Sequence, residues 1–166
     1  MSTYSKRSAL AIRFIPGSMS VSPPTPLQLA WAAGFIDGDG SIGAYWEKQR
    51  PDRNNATLRI RLTVTQNDLP TLQHLQVVLN EKSTIYPVKR TRFHNKPVWT
   101  LVLNGTHALI ALRKLSGFLV RKLQEYLVCE ELHASGQLSE RPGRRGHTPS
   151  VAANRRALAK KLVNLK

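Results

Sequence analysis

One apolar helix, whose last turn carries two carboxylates set between glycines, constrains this chain more than any other stretch: Leu27-Gln28-Leu29-Ala30-Trp31-Ala32-Ala33-Gly34-Phe35-Ile36-Asp37-Gly38-Asp39-Gly40-Ser41. Thr25 suits the N-cap, where its hydroxyl accepts from a free backbone N–H, and Pro26 suits the first turn, where its missing N–H is no loss. Gly40 is expected to stop the helix by adopting the left-handed conformation that other residues resist. Ala30, Gly34 and Gly38 recur every four residues and share one face, a stripe almost without side chains. Such a stripe lets another helix approach nearly backbone to backbone. Leu27, Trp31 and Phe35 form an adjacent row, with Ile36 a little round from it. A helix apolar nearly all round is expected to be buried. It is much too short to cross a bilayer.

That stripe has a chemical consequence. Were the partner a second copy of the same helix, the two ends would meet and Asp39 would face Asp39. Two carboxylates that close repel, and hold a proton between them unless a divalent cation sits nearby. A plain polar helix end is the simpler reading of Asp37. It explains Asp39 poorly, because an acid at a helix C-terminus opposes the macrodipole.

The charge balance names the kind of partner. Against 10 Asp and Glu stand 25 Lys and Arg, a net charge of +15. This selects a polyanion, nucleic acid before an anionic membrane surface. No amphipathic basic helix with an aromatic face stands out and no transmembrane run exists, so no membrane partner is expected. At 166 residues the chain can bury a real core as one domain of ordinary size. The single cysteine, Cys129, rules out an internal disulfide and suits a reducing compartment, an organelle or the prokaryotic cytoplasm. Cys129 and His133 stand one helical turn apart, half of a metal site. With no second pair at ligand spacing, a packed thiol and a surface imidazole is the better reading.

Three segments follow from composition. Residues 1–25 are basic, serine-rich and free of acid, a non-catalytic extension serving as a transit peptide or a loose DNA-contacting arm. Residues 26–136 carry the alternating and helical patterns of the core. Residues 137–166 form a basic linker and a last helix opened by Thr148-Pro149. Arg141, Arg144, Arg145, Arg155, Arg156, Lys160, Lys161 and Lys166 stand there against one acid, a solvated tail or a clamp on DNA phosphates.

Within the core, residues 41–49 alternate, with Ile42, Ala44 and Trp46 on one face and Gly43, Tyr45, Glu47 and Gln49 on the other. After a turn cluster at 51–55, Leu58, Ile60, Leu62 and Val64 form an oily face against Thr57, Arg59, Arg61, Thr63 and Thr65. On a chain this basic, that row of arginine and threonine suits phosphates and base edges better than bulk water. Asp68 is placed to cap a helix over 69–79. A second strand pair spans 85–93 and 97–103, with Lys89, Arg90, Thr91 and Arg92 as a basic edge. Thr106 is expected to cap a helix through 116, and another runs over 119–134.

The segment Ala33-Gly34-Phe35-Ile36-Asp37-Gly38-Asp39-Gly40 resembles the signature of the LAGLIDADG homing endonucleases, with Ala32 in place of the leading Leu. The reading helix, hairpin, helix, hairpin, two helices is similar to that family's αββαββα core, an α+β fold with an antiparallel DNA-binding sheet, here with additional C-terminal helices. The resemblance covers roughly residues 27–134. It implies that Asp39 and the Gly38 carbonyl hold Mg²⁺ (or Mn²⁺), and that Gln66 and Lys122, in Val64-Thr65-Gln66 and Phe118-Leu119-Val120-Arg121-Lys122, are catalytic. It also implies intron-encoded, site-specific cleavage of double-stranded DNA. One copy of the motif implies a homodimer joined through Ala30, Gly34 and Gly38, a pseudopalindromic target, and two four-stranded sheets astride the DNA. Two other classes remain open at this point: an RNA intron maturase on the same scaffold, and a non-catalytic DNA-binding regulator.

Overall fold

A computed structural model describes residues 11–16, 22–46, 58–88, 96–137 and 148–165. In chain order the elements are β1 (Ile12–Phe14), α1 (Pro26–Asp39), β2 (Gly40–Trp46), β3 (Leu58–Gln66), α2 (Leu69–Leu79), β4 (Ser83–Pro87), β5 (Trp99–Asn104), α3 (Thr106–Leu115), α4 (Leu123–Gln137) and α5 (Pro149–Asn164). From α1 to α3 the order is the expected αββαββα core, an α+β arrangement, and α4 and α5 are additional helices.

The first helix begins as its cap chemistry dictates. Thr25 Oγ1 accepts from the Gln28 N–H at 3.3 Å, and Gln28 Oε1 accepts from the Thr25 N–H at 2.8 Å, a reciprocal capping box. Its end differs from expectation. Gly40 is extended (φ −75°, ψ 157°) and is already the first residue of β2. Glycine is needed there for space: a Cβ would lie 2.5 Å from the Ile36 carbonyl oxygen and 2.9 Å from Ile36 Cγ2. Helix thus passes into strand without a loop, and Asp39 stands at the joint. The left-handed stop occurs instead after α2, at Asn80 (φ 46°), where a short amide side chain tolerates it.

All strand pairs are antiparallel, in the order β1-β4-β5-β3-β2. The sheet has five strands rather than four, because Ile12–Phe14 pairs with Ser83–Ile85 at the β4 edge. Three residues are too few to show a period of two in sequence, so this strand within the N-terminal extension leaves no pattern.

The helices cover one face of the sheet. Leu58, Ile60, Leu62 and Val64 of β3 are buried as their alternation predicts, with Leu101 and Leu103 beside them. Against them pack Ala32, Ala33 and Ile36 of α1, Leu72, Leu75 and Leu79 of α2, and Leu109, Leu112 and Leu115 of α3. Trp46, at the end of β2, is 47% exposed although Ile42 on the same face is fully buried. Two helix starts also differ. Gly105, at φ +59°, caps α3 and Thr106 is its first residue; the Gly105 N–H donates to the Ile60 carbonyl at 2.7 Å. The regular turns of α4 begin at Leu123, four residues later than expected.

The last helix is anchored by a buried charge. Arg155 of α5 is 8% exposed, and donates from Nη1 to the Leu132 carbonyl (2.9 Å) and Ser135 Oγ (3.2 Å) and from Nη2 to the Leu58 carbonyl (3.1 Å). Burial pushes its pKa down, though a guanidinium remains charged at any working pH. Of the basic residues in this tail, Arg155 therefore turns inward. Arg155→Ala is expected to lower unfolding stability by about 2 kcal/mol, because two buried carbonyls lose a charged donor. A urea titration followed by circular dichroism checks it.

Candidate active site and nucleic-acid interface

The joint between α1 and β2 gathers the acids. Register pairs Gly40 with Val64, which brings the end of β3 beside the last turn of α1. There Gln66 Nε2 donates to Asp39 Oδ2 at 2.5 Å. Asp39 is exposed and Gln66 half-buried, so a carboxylate oriented by an amide faces solvent at the rim of the sheet. Gly38, one residue earlier, is exposed and its missing side chain leaves open space.

Asp37 does something the sequence did not announce. Its Oδ2 accepts from the backbone N–H groups of Val120 (2.7 Å) and Arg121 (3.2 Å), and its Oδ1 from that of Lys122 (2.9 Å). Arg121 Nη1 also donates to the Asp37 carbonyl at 3.4 Å. Asp37 is thus the anion beneath the turn that leads into α4, near the end of that helix where its dipole favours negative charge. Its place at the C-terminus of α1 matters less, because it is held by the approach to α4. A signal for this exists: residues 118–122 contain no Ser, Thr, Asp or Asn to accept from the N–H groups of the turn before α4, so an acceptor must come from elsewhere.

Lys122, fastened through its N–H to Asp37, has a buried side chain, 5% exposed as a residue. Its Nζ lies 3.9 Å from Oε1 of Glu125, an ion pair beyond hydrogen-bond distance. Glu125 is equally buried, and its Oε2 has no hydrogen-bond partner among the described residues. Sequence reasoning missed Glu125, although its spacing three residues after Lys122 on a helix pointed to contact.

The stripe on α1 is uncovered. Gly34 and Gly38 are exposed, a Cβ at either would meet nothing within 4 Å, and Ala30 is half-buried. Leu27 is 81% exposed and Trp31 38%, its ring stacked on Phe35 (5.6 Å between centroids) and tilted against His74 (4.8 Å). The expected burial all round does not hold in a single chain: only the Ala32, Ala33 and Ile36 side lies in the core.

On the sheet face away from the helices, Gly43 stands opposite Arg61, Tyr45 opposite Arg59, and Ser41 opposite Thr63. The Arg61 guanidinium lies 3.7 Å from the Tyr45 ring centroid, and its Nε donates to Asn104 Oδ1 at 3.0 Å. Thr65 and Thr100 share a hydroxyl hydrogen bond at 2.9 Å. Asn104, from β5, is a polar member of this face that the strand pattern of 97–103 left out. Glu47, Gln49, Thr57, Lys89, Arg90, Thr91 and Arg92 lie outside the described residues.

Cys129 belongs to the core. It is fully buried, and burial, then the charges of Glu125 and Glu130, push its thiol up to about 12, so it stays protonated. A protonated, enclosed thiol is neither a nucleophile nor a metal ligand.

No protein-family profile matches the chain, and no curated protein sequence does. Solved structures do. The homing endonuclease I-CvuI, solved in complex with its target in the presence of calcium, is 25% identical over 84% of this chain and 82% of its own, with a TM-score of 0.64. The archaeal intron-encoded homing endonuclease I-Vdi141I, complexed with DNA, is 17% identical over 84% of each chain, with a TM-score of 0.66. The LAGLIDADG homing endonuclease I-GzeII, in complex with its DNA target, is 12% identical over 81% of this chain and 43% of its own, with a TM-score of 0.54. The acid-bearing helix running straight into a sheet with one uncovered basic face is therefore the LAGLIDADG homing endonuclease fold, and this chain is built on it.

Proposed function

We propose that this protein is a site-specific DNA endonuclease that cuts both strands of a pseudopalindromic site as a metal-dependent homodimer. One observation carries the reading: an exposed Asp39, oriented by Gln66, at the rim of a basic, uncovered sheet face. The similarity to DNA-bound homing endonucleases agrees with it.

The donor set suits a hard cation. Asp39 offers carboxylate oxygens and Gly38 a carbonyl oxygen, the ligand type Mg²⁺ prefers, with phosphate oxygens to complete the shell. When bound, such ions lower the pKa of a water and neutralise charge at the scissile phosphate. The chain's own residues do the rest. Gln66 holds one Asp39 oxygen in place, which leaves its amide carbonyl as an acceptor for a water. Lys122, its backbone fixed by Asp37 and its buried ammonium 3.9 Å from Glu125, contributes positive charge from behind the site rather than a direct contact with the phosphate.

Two observations support a dimer. Each chain brings one Asp39, and the Gly34–Gly38 side of α1, flanked by exposed Leu27 and Trp31, has open space where a second helix fits. An isologous contact there would set two Asp39 side chains across a twofold axis and give each protomer one DNA strand.

Cleavage of a randomised plasmid library, followed by sequencing of the cut ends, tests the function. Enrichment of one long, roughly palindromic sequence with Mg²⁺, and none with EDTA, is the expected outcome. Random degradation, or binding without cutting, contradicts it.

A further inference from the structure

The sheet face holds one arginine in a fixed pose. Arg61 of β3 lies between Tyr45 of β2, whose ring centroid is 3.7 Å from its Cζ, and Asn104 of β5, whose Oδ1 accepts from its Nε at 3.0 Å. Directly across the β2–β3 pair stands Gly43, so no side chain rises on that side. A concavity of about 120 Å³, bounded by Ser41, Gly43, Ala44, Tyr45 and Thr63, opens next to the guanidinium. Among the described residues both partners of Arg61 are neutral, an amide and a phenol ring, and neither cancels its charge.

A guanidinium can present two bidentate edges, Nε with one Nη, or both Nη groups. Asn104 occupies Nε, which leaves the two Nη groups as the free edge, with paired parallel donors. In the DNA major groove only guanine offers two adjacent acceptors, O6 and N7. Adenine sets a donor beside its N7, cytosine presents a donor, and thymine presents O4 beside a methyl group. Holding the fork before DNA arrives reduces the side-chain entropy lost on binding.

We infer that Arg61 is a specificity residue that reads a guanine end-on, with Asn104 and Tyr45 as positioning residues that aim it. The inference rests on the reading of this sheet face as the DNA-binding surface, and adds to it the base recognised and the function of Asn104. A phosphate-contacting arginine needs no such aim, because it is satisfied from many directions.

The experiment is a cleavage selection on a randomised duplex library with the wild-type protein and the variants Arg61→Ala, Arg61→Lys and Asn104→Ala, each scored base by base. The wild-type profile should contain a column dominated by guanine on one strand. Arg61→Ala should relax that column by roughly tenfold to a hundredfold. Arg61→Lys, which keeps the charge but loses the fork, should relax it too. Asn104→Ala should relax the same column several-fold and leave the others unchanged. A profile that Arg61→Lys preserves in every column, with overall activity merely lowered, would overturn the inference in favour of a phosphate contact. So would an Asn104→Ala effect confined to a different column. Failure of the wild-type protein to select any sequence would overturn the endonuclease reading itself, a result distinct from a wild-type profile that ignores Arg61.

Discussion

Asp39→Asn should bind its DNA site within a few-fold of the wild-type affinity and cut it at least roughly a thousandfold more slowly. The substitution exchanges one carboxylate oxygen for an amide nitrogen. Asp39 is exposed, and among the described residues its side chain is held by the hydrogen bond from Gln66, which the remaining oxygen of the introduced amide can still accept. Nothing in the core depends on it, so the folded structure and the basic sheet face stay as they are. What is lost is the negative charge that attracts a divalent cation and the second oxygen that would ligate it. The readout is conversion of supercoiled plasmid carrying the selected site to nicked and linear forms, beside a binding isotherm in Ca²⁺. Cleavage at the wild-type rate would show that the reacting centre lies elsewhere.

Asp37→Ala should behave in the opposite sense, as a fold variant first. The carboxylate of Asp37 serves three backbone donors in the turn that leads into α4. Hydrogen bonds to a charged group contribute about 1.5–3 kcal/mol each when fully buried, less where water can replace them. Two of the three lie on an exposed stretch, so a total loss of about 3 kcal/mol is expected. For a chain of this size that lowers Tm by roughly 6–12 °C. Asp37→Asn, which retains an acceptor without the charge, should lose about half as much. Cleavage should fall as well, because Lys122 hangs from the same carboxylate, but added Mg²⁺ should leave the Tm deficit in place. Thermal unfolding with unchanged Tm would remove Asp37 from its role. Neighbouring acids in one motif thus divide the work: Asp37 ties α1 to the turn before α4, and Asp39 faces solvent at the rim of the sheet.

Much of this is legible in the residues. The capping box at Thr25 and Gln28, the alternation of Leu58 to Val64 and the Leu72, Leu75, Leu79 face of α2 are local patterns, and each forms where local chemistry puts it. The pairing of Asp39 with Gln66 has a simple cause, since an antiparallel hairpin returns the end of β3 to the start of β2. What is not legible is mostly non-local. The three donors that meet Asp37 lie more than eighty residues away in sequence, and no period announces them. Arg155 reads as one more cation in a basic tail until its partners, the Leu58 and Leu132 carbonyls, are known. Gly40 does follow the helix, but glycine is required there because a side chain would collide with Ile36, a close approach that leaves no trace in a propensity. Ile12–Phe14 joins the sheet through an edge that a sequence does not display.

The claim on which the rest depends is that two copies of the chain assemble on one target so that two Asp39 side chains act together. Native mass spectrometry of the complex with the selected duplex, held uncut in Ca²⁺, measures this directly. The prediction is two 18.6 kDa chains per duplex, and an equal mixture of wild-type and Asp39→Asn chains, moved from Ca²⁺ to Mg²⁺, should make double-strand cuts only where two wild-type copies share a duplex. One chain per duplex, with that single chain cutting both strands, would contradict it.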